Sequence, residues 1–449
     1  NNSHNPFLFV TCHMPNISFK QAFLFWLRLG FISFGGPAGQ IATMHQALVI
    51  EKRWISEQRF LHALNFCMLL PGPEAQQLAI YIGWLMHKTL GGLVAGLLFI
   101  LPSFFILVGL GWVYMLYGNT ATLLGIFSGI KPAVVAIVLF AAYRIGMRTL
   151  THTLLIVIAG LSFVGIAFFK LPFPLIVLLA ALTGWVGSYW MPQAFKVSSH
   201  QTTKSTTHIS AIIDDDTAIP EHAQYRFKRL LKTIVLCSAI GLSLFLALIL
   251  TFGLNHILSQ TAVFFSKAAF LTFGGAYAVL PYVYHGVVDY YQWISPAQMI
   301  DGLALGEATP GPLIMVITFI SFVSGWANQA LAGMPIWFSG LITASVATFF
   351  TFLPSFMMIF AGAPLIETTH KNPQLSAPLK AITAAVVGVI LNLTYFLAYH
   401  SLWQAEAQRF DIAGVLIGIC IFIALTRFKV STLTVIAASG AIGWLRYLA

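Results

Sequence analysis

The chain has 449 residues, of which 58% are hydrophobic and 8% charged. A soluble domain carries roughly 25% charged residues, so a chain with a mean hydropathy of +0.85 cannot build a water-compatible surface. Soluble enzymes are thereby excluded, and the net charge of +10 is scattered through loops, as in polytopic membrane proteins, rather than clustered for nucleic acid.

In chain order, the first apolar stretch shows no small-residue cleavage site, so no cleavable signal peptide is expected. Met14 is a more natural start than Asn1, which makes residues 1–13 read as an upstream extension. Residues 19–50 and 60–87 are each too long for one span and too short for two, since a span needs about 20 apolar residues. They are broken at Gly35-Gly36-Pro37 and at Pro71-Gly72-Pro73, and are expected to be re-entrant helical hairpins. Irregular backbone at membrane depth persists only where protein buries it or a cavity receives it. Ordinary spans are expected at about 91–116, 122–143, 152–169 and 173–190. From Pro192 to Lys232 the chain is polar and reads as a solvated linker, with Asp214-Asp-Asp216 as an acidic turn rather than a metal site. One apolar span follows at about 233–254, then two more hairpins, then spans at about 340–362, 381–399, 411–426 and 430–447. Cys12, Cys67, Cys237 and Cys420 form no CxxC and read as apolar filling.

The second half repeats the first. Phe31-Ile-Ser-Phe-Gly-Gly36 recurs as Phe270-Leu-Thr-Phe-Gly-Gly275. At the same offset Trp54-Ile-Ser56 recurs as Trp293-Ile-Ser295, and Pro71-Gly-Pro73 as Pro310-Gly-Pro312. Further on, Leu101-Pro-Ser-Phe104 matches Leu353-Pro-Ser-Phe356. The loop at 51–59 holds Lys52, Arg53 and Arg59, whereas its counterpart at 286–298 has no Lys or Arg and contains Asp289. By the positive-inside rule the second half is upside down. The expected fold is therefore an all-α polytopic membrane protein of two inverted repeats, whose broken helices meet near the membrane midplane. Its parts are residues 14–191 (first repeat), 192–232 (cytoplasmic linker), 233–254 (connecting transmembrane helix) and 255–449 (second repeat).

Paired broken helices in inverted repeats point to a secondary-transporter site. A helix that starts after Pro-Gly-Pro leaves its first N–H groups unpaired, and its positive dipole end favours an anion. The candidate binding residues are Pro71, Gly72, Pro73, Pro310, Gly311 and Pro312, with Gly35, Gly36, Gly274 and Gly275 allowing close backbone approach. Arg28 and Lys267 are repeat partners placed seven residues before a glycine of the break, and an intramembrane charge costs about 2.5–3.5 kcal/mol or more, which makes it a functional candidate. The blander alternative is snorkelling to the interface. Lys131 also lies mid-segment, opposite Thr383 in the repeat. Gln76, Gln77, Ser33 and Thr272 are uncharged donors, or plain helix-contact residues. Glu307 and Glu74 are the proton-coupling candidates, while Asp301 reads as solvated near a hairpin entrance.

The runs Phe34-Gly-Gly-Pro-Ala-Gly-Gln-Ile41, Glu51-Lys-Arg-Trp-Ile-Ser56, Phe60-Leu-His-Ala-Leu64, Leu69-Leu-Pro-Gly-Pro-Glu-Ala-Gln-Gln77 and Ala304-Leu-Gly-Glu-Ala-Thr-Pro-Gly-Pro312 resemble the chromate transporter family. The resemblance covers both halves and looks like the long, two-domain bacterial form. It implies proton-motive-force-driven chromate export from the cytoplasm, chromate resistance, and a place in the bacterial inner membrane. The alternatives are uptake or exchange of sulfate, and a passive anion channel. Expected partners are chromate or sulfate, protons and the lipid bilayer, with a homodimer left open; no nucleic acid and no cofactor are expected. No HExxH, Ser/His pair or Cys cluster suggests an enzyme.

Overall fold

The computed structural model describes residues 17–68, 70–191, 211–214, 221–273, 275–368, 376–404 and 409–448. Sixteen α-helices account for nearly all of them, beside a two-residue strand pair that joins Trp403–Gln404 to Arg409–Phe410. The first half contains α1 Phe19–Ile32, α2 Gly36–His45, α3 Glu57–Cys67, α4 Glu74–Tyr117, α5 Ala121–Thr149, α6 Thr153–Ala167 and α7 Phe173–Trp190. Helix α8, Phe227–Phe252, stands between the halves. The second half contains α9 Ile257–Leu271, α10 Ala276–Tyr284, α11 Pro296–Ala308, α12 Val316–Ala327, α13 Ile336–Thr368, α14 Ser376–Leu402, α15 Ile412–Arg427 and α16 Thr432–Leu448.

Local signals explain most boundaries. Ser18 and Gln21 form a capping box on α1, and Ser295 and Gln298 form another on α11. Helix α2 runs on into a π-helical turn at Gln46–Glu51, and α10 does the same at His285–Tyr290. Each π turn is followed by a residue in the left-handed region, Arg53 and Gln292, both at φ 53°. The amides of Trp54 and Trp293 then reach back to Leu48 and Val287, each at 2.8 Å. The repetition thus extends to backbone irregularities.

Helix α4 is two antiparallel arms. His87 and Lys88 leave helical geometry (Lys88 φ 55°), and a Cβ at Gly83 would lie 2.6 Å from Ala95. In a straight helix those residues would be about 18 Å apart. The chain therefore reverses at Lys88, giving arms 74–86 and 89–117. In the second half α12 and α13 make the same hairpin.

Helices occupy all nine segments expected to span. Among the described residues six helices, α4, α5, α7, α8, α13 and α14, are long and apolar enough to cross a membrane, and the chain is a multi-pass membrane protein. Helices α6, α15 and α16 occupy three further expected spans with 15, 16 and 17 residues, shorter than those six. One device cuts α6 and α15: a left-handed lysine just beyond each, Lys170 (φ 50°) and Lys429 (φ 52°).

The halves interlock through small residues. A Cβ at Gly443 of α16 would lie 2.6 Å from the Gly125 carbonyl of α5. Its repeat partner Gly184 of α7 would meet the Ala377 carbonyl of α14 at 2.7 Å. Such contacts hold helices together where lipid supplies no hydrophobic drive.

Four residues of the linker are held against the protein. Residues 211–214 dock on the loop after the first π turn. The amides of Ile212 and Ile213 donate to Arg53 and Trp54, Ser56 donates to Ile213, all at 3.0 Å, and Arg59 donates to the Asp214 carbonyl. The Ala211-Ile212-Ile213 run is apolar enough to be covered, and the irregular loop has backbone groups to spare. Asp215 and Asp216 lie outside the described residues.

Candidate functional site

Proline has no N–H, so in each Pro-Gly-Pro turn the glycine amide is the donor available. Gly72 (φ 131°) donates to the Thr272 carbonyl at 2.7 Å, and Gly311 (φ 93°) donates to the Ser33 carbonyl at 2.8 Å. Each half's turn is thus tied to the other half's glycine break. The same contact made twice with roles exchanged is the mark of an approximate two-fold relation. Glycine is required at both positions: a Cβ on Gly72 would sit 2.6 Å from Ser355 Oγ, and one on Gly311 would sit 2.9 Å from Ser103 Cβ.

Around this knot several helical segments begin without side-chain caps: α2 after Gly35, α4 after Pro73, α10 after Gly275, and the 3₁₀ turn Leu313–Met315 after Pro312. Their free N–H groups and dipole ends lie close together, as the bonds from Gly72 and Gly311 require. Gly275 sits beside the Glu74 carboxylate, and Gly36 beside the Tyr277 hydroxyl. Gly274 and Leu69 lie outside the described residues.

The lining is polar and unsatisfied. Gln76 is fully buried with neither amide atom hydrogen-bonded, and the Ser103 and Ser355 hydroxyls also lack partners. Gln77 donates to Pro71 at 2.8 Å and Gln40 donates to the Gly311 carbonyl, so each amide oxygen is left over. An orphaned buried polar group costs about 1–3 kcal/mol, so several left together offer hydrogen bonds that a ligand or water could satisfy. Two carboxyls flank it. Glu307 accepts a hydrogen bond from Tyr277, whereas Glu74 has no hydrogen-bond partner among the described side chains. Ser33 and Thr272, read as available donors, spend their hydroxyl protons on Leu29 and Ala268 of their own helices, at 2.6 and 2.7 Å.

Neither cation is drawn into this cluster. Arg28 is exposed on α1 and lines an open cleft of about 930 Å³ with Gln21, Thr43, Gln46, Glu51 and Lys52. Lys267 is exposed on α9. Seven residues before a helix break is about 10 Å along the axis, and a long basic side chain turns to the open helix face. The cation whose charge reaches Glu307 and Tyr277 is Arg144. Sequence reasoning missed it by ending the span at 143, whereas α5 continues to Thr149. Gln40 and Tyr277 were also missed, as isolated polar residues without repeat partners. Ser103 and Ser355 had a signal, the repeated Leu-Pro-Ser-Phe.

Asp301 overturns the solvated reading. It is buried, accepts from Tyr114 at 2.9 Å, and lies 3.9 Å from Lys131 Nζ. The packing of α11 against α5 places it there. Among the described residues no His/Cys/Asp/Glu group has metal-site geometry.

Comparison with known proteins follows the two halves. The chromate transporter family profile matches residues 20–185 and 259–444. A chromate transport protein of Pseudomonas aeruginosa is 32% identical over 441 residues, covering 96% of this chain and 93% of the relative. A chromate transport protein of Cupriavidus metallidurans is 28% identical over 435 residues, covering 96% and 94%. A probable chromate transport protein of Synechococcus elongatus is 29% identical over 437 residues, covering 96% and 97%. No solved structure matches.

Proposed function

The chain belongs to the chromate transporter family, and from that premise we propose that it exports chromate, bound as a dianion between the two Pro-Gly-Pro turns. The observation that carries the proposal is the unsatisfied donor set of Gln76 in the first turn of α4 and of Ser103 and Ser355, which lie beside the glycines of the two turns. Chromate offers four acceptor oxygens and no donor, so it complements that set. In this reading the halves lie inverted in the membrane, and the cleft of Arg28 and Lys52 gathers the anion on the cytoplasmic side.

The driving force follows from charge. A cell interior negative by 100 mV expels a dianion with about 4.6 kcal/mol. Export then draws on the electrical part of the proton-motive force. Glu74 would repel the anion when ionised, and when protonated it becomes one more donor, so loading requires its proton. That coupling favours a second reading, inward co-transport of a proton with sulfate, because a carboxyl beside an anion binds proton and anion together. Proteoliposomes loaded with chromate and given a potassium-diffusion potential separate the two. Export predicts chromate loss that accelerates as the interior is made negative. Chromate retention, with sulfate entering on an inward proton gradient, overturns it in favour of the second reading.

A further inference from the structure

Away from the central knot, a groove of about 980 Å³ lies between the second arm of α4, the first half of α8, and α13. One end is cationic, with Arg226, Lys228, Arg229 and Lys232, and among the described residues no Asp or Glu lines it. The rest is hydrocarbon, with walls that include Leu93, Leu97, Leu236, Phe352 and Phe356. We propose that the groove binds one anionic glycerophospholipid, headgroup phosphate at the cations and acyl chains along the walls.

Three observations specify that occupant. The charge is of one sign and at one end, as basic pockets for anionic headgroups are. From Arg226 to Ile240 the groove follows α8 for about 21 Å, enough for a headgroup contact and an acyl chain reaching through one leaflet of about 15 Å. Helix α8 is also the least covered candidate span, with 11% of its apolar window buried, so the groove is open to the bilayer rather than sealed by protein. Arg226, Lys228 and Lys232 are exposed and have no carboxylate partner among the described residues. Arg229 is partly engaged, donating to the His222 carbonyl. The cations stand where the linker enters α8, so the lipid belongs to the leaflet on the linker side and joins the first half to α13 of the second.

The test uses full-length protein in mild detergent. Native mass spectrometry of the parent should show one retained phosphatidylglycerol, and added phosphatidylglycerol should raise the melting temperature where phosphatidylcholine does not. The triple variant Arg226→Gln, Lys228→Gln, Lys232→Gln should weaken that binding about a hundredfold. Leu236→Trp, which narrows the wall and leaves every charge in place, should also displace the lipid. Equal retention by parent and triple variant overturns the proposal. So does equal stabilisation by phosphatidylcholine, or full stabilisation by glycerol phosphate alone, which would mark an anion site without an acyl channel.

Discussion

The two halves share a backbone and differ in what they put on it. In the first, Phe25 and Trp54 pack edge-on at 5.0 Å, and Lys52 lies over both rings beside the open cleft of Arg28. In the second, the equivalents of Thr43 and Lys52 are Tyr282 and Tyr291. Tyr282 stacks on Phe264 at 5.1 Å and Tyr291 on Trp293 at 4.4 Å, and Gly286 admits the Phe264 ring against its backbone. The same frame is cationic and open on one side and aromatic and filled on the other. The polar lining is divided likewise: Glu74, Gln76 and Gln77 of the first half correspond to Leu313, Met315 and Val316. Symmetry builds the knot, and asymmetry decides which side chains surround it.

The sharpest way to break this comparison is topological. Gln58 and Ala297 are exposed at equivalent positions. In a cysteine-free background, an impermeant thiol reagent applied outside cells should label Ala297→Cys fully and Gln58→Cys only after permeabilisation. Labelling of both from outside would leave the halves parallel.

Next in size are the glycines of the knot. Gly72→Ala and Gly311→Ala each force a β-carbon into a positive-φ site against a serine, at a cost of about 1–3 kcal/mol. Because the contacts are reciprocal, thermal unfolding in detergent should show similar losses for both, with transport nearly abolished. A large inequality would mean that the two turns are not equivalent.

The acids are expected to differ. Chromate transport by the parent should fall as the loading side is made alkaline, because ionised Glu74 repels the dianion. Glu74→Gln, permanently neutral, should flatten that pH profile while retaining transport. Glu307→Gln should lower the rate by about fivefold to tenfold, because Tyr277 then donates to a neutral amide oxygen instead of a carboxylate, and keep the slope. A flat parent profile would remove protons from the loading step.

The smallest effects belong to the exposed cations. Arg28→Gln and Lys52→Gln should each raise the half-saturation concentration on the cleft side by up to about fivefold, and less at high salt. Lys267→Gln, on the filled side, should change it little. An equal effect of all three would erase the difference between the clefts.

Composition, the ordered repeats and the Pro-Gly-Pro pairs were enough to establish membrane residence, duplication and the places where helices break. These are local properties: proline lacks a donor wherever it stands, and a polar residue is costly in lipid whatever its neighbours. The repeated π turns were not legible, because a widened turn leaves no mark of its own in composition. Which polar groups meet was decided by tertiary structure alone. Arg28 and Lys267 carry the conspicuous charges, yet packing turns them outward, while Gln76, Ser103 and Ser355 become buried polar groups without partners only when α4 and α13 are brought to the same knot. Asp301 shows the same rule: a single carboxylate in sequence, it becomes a buried partner of Tyr114 and Lys131 because α11 lies against α5, and burial depends on contacts between segments that no local pattern encodes.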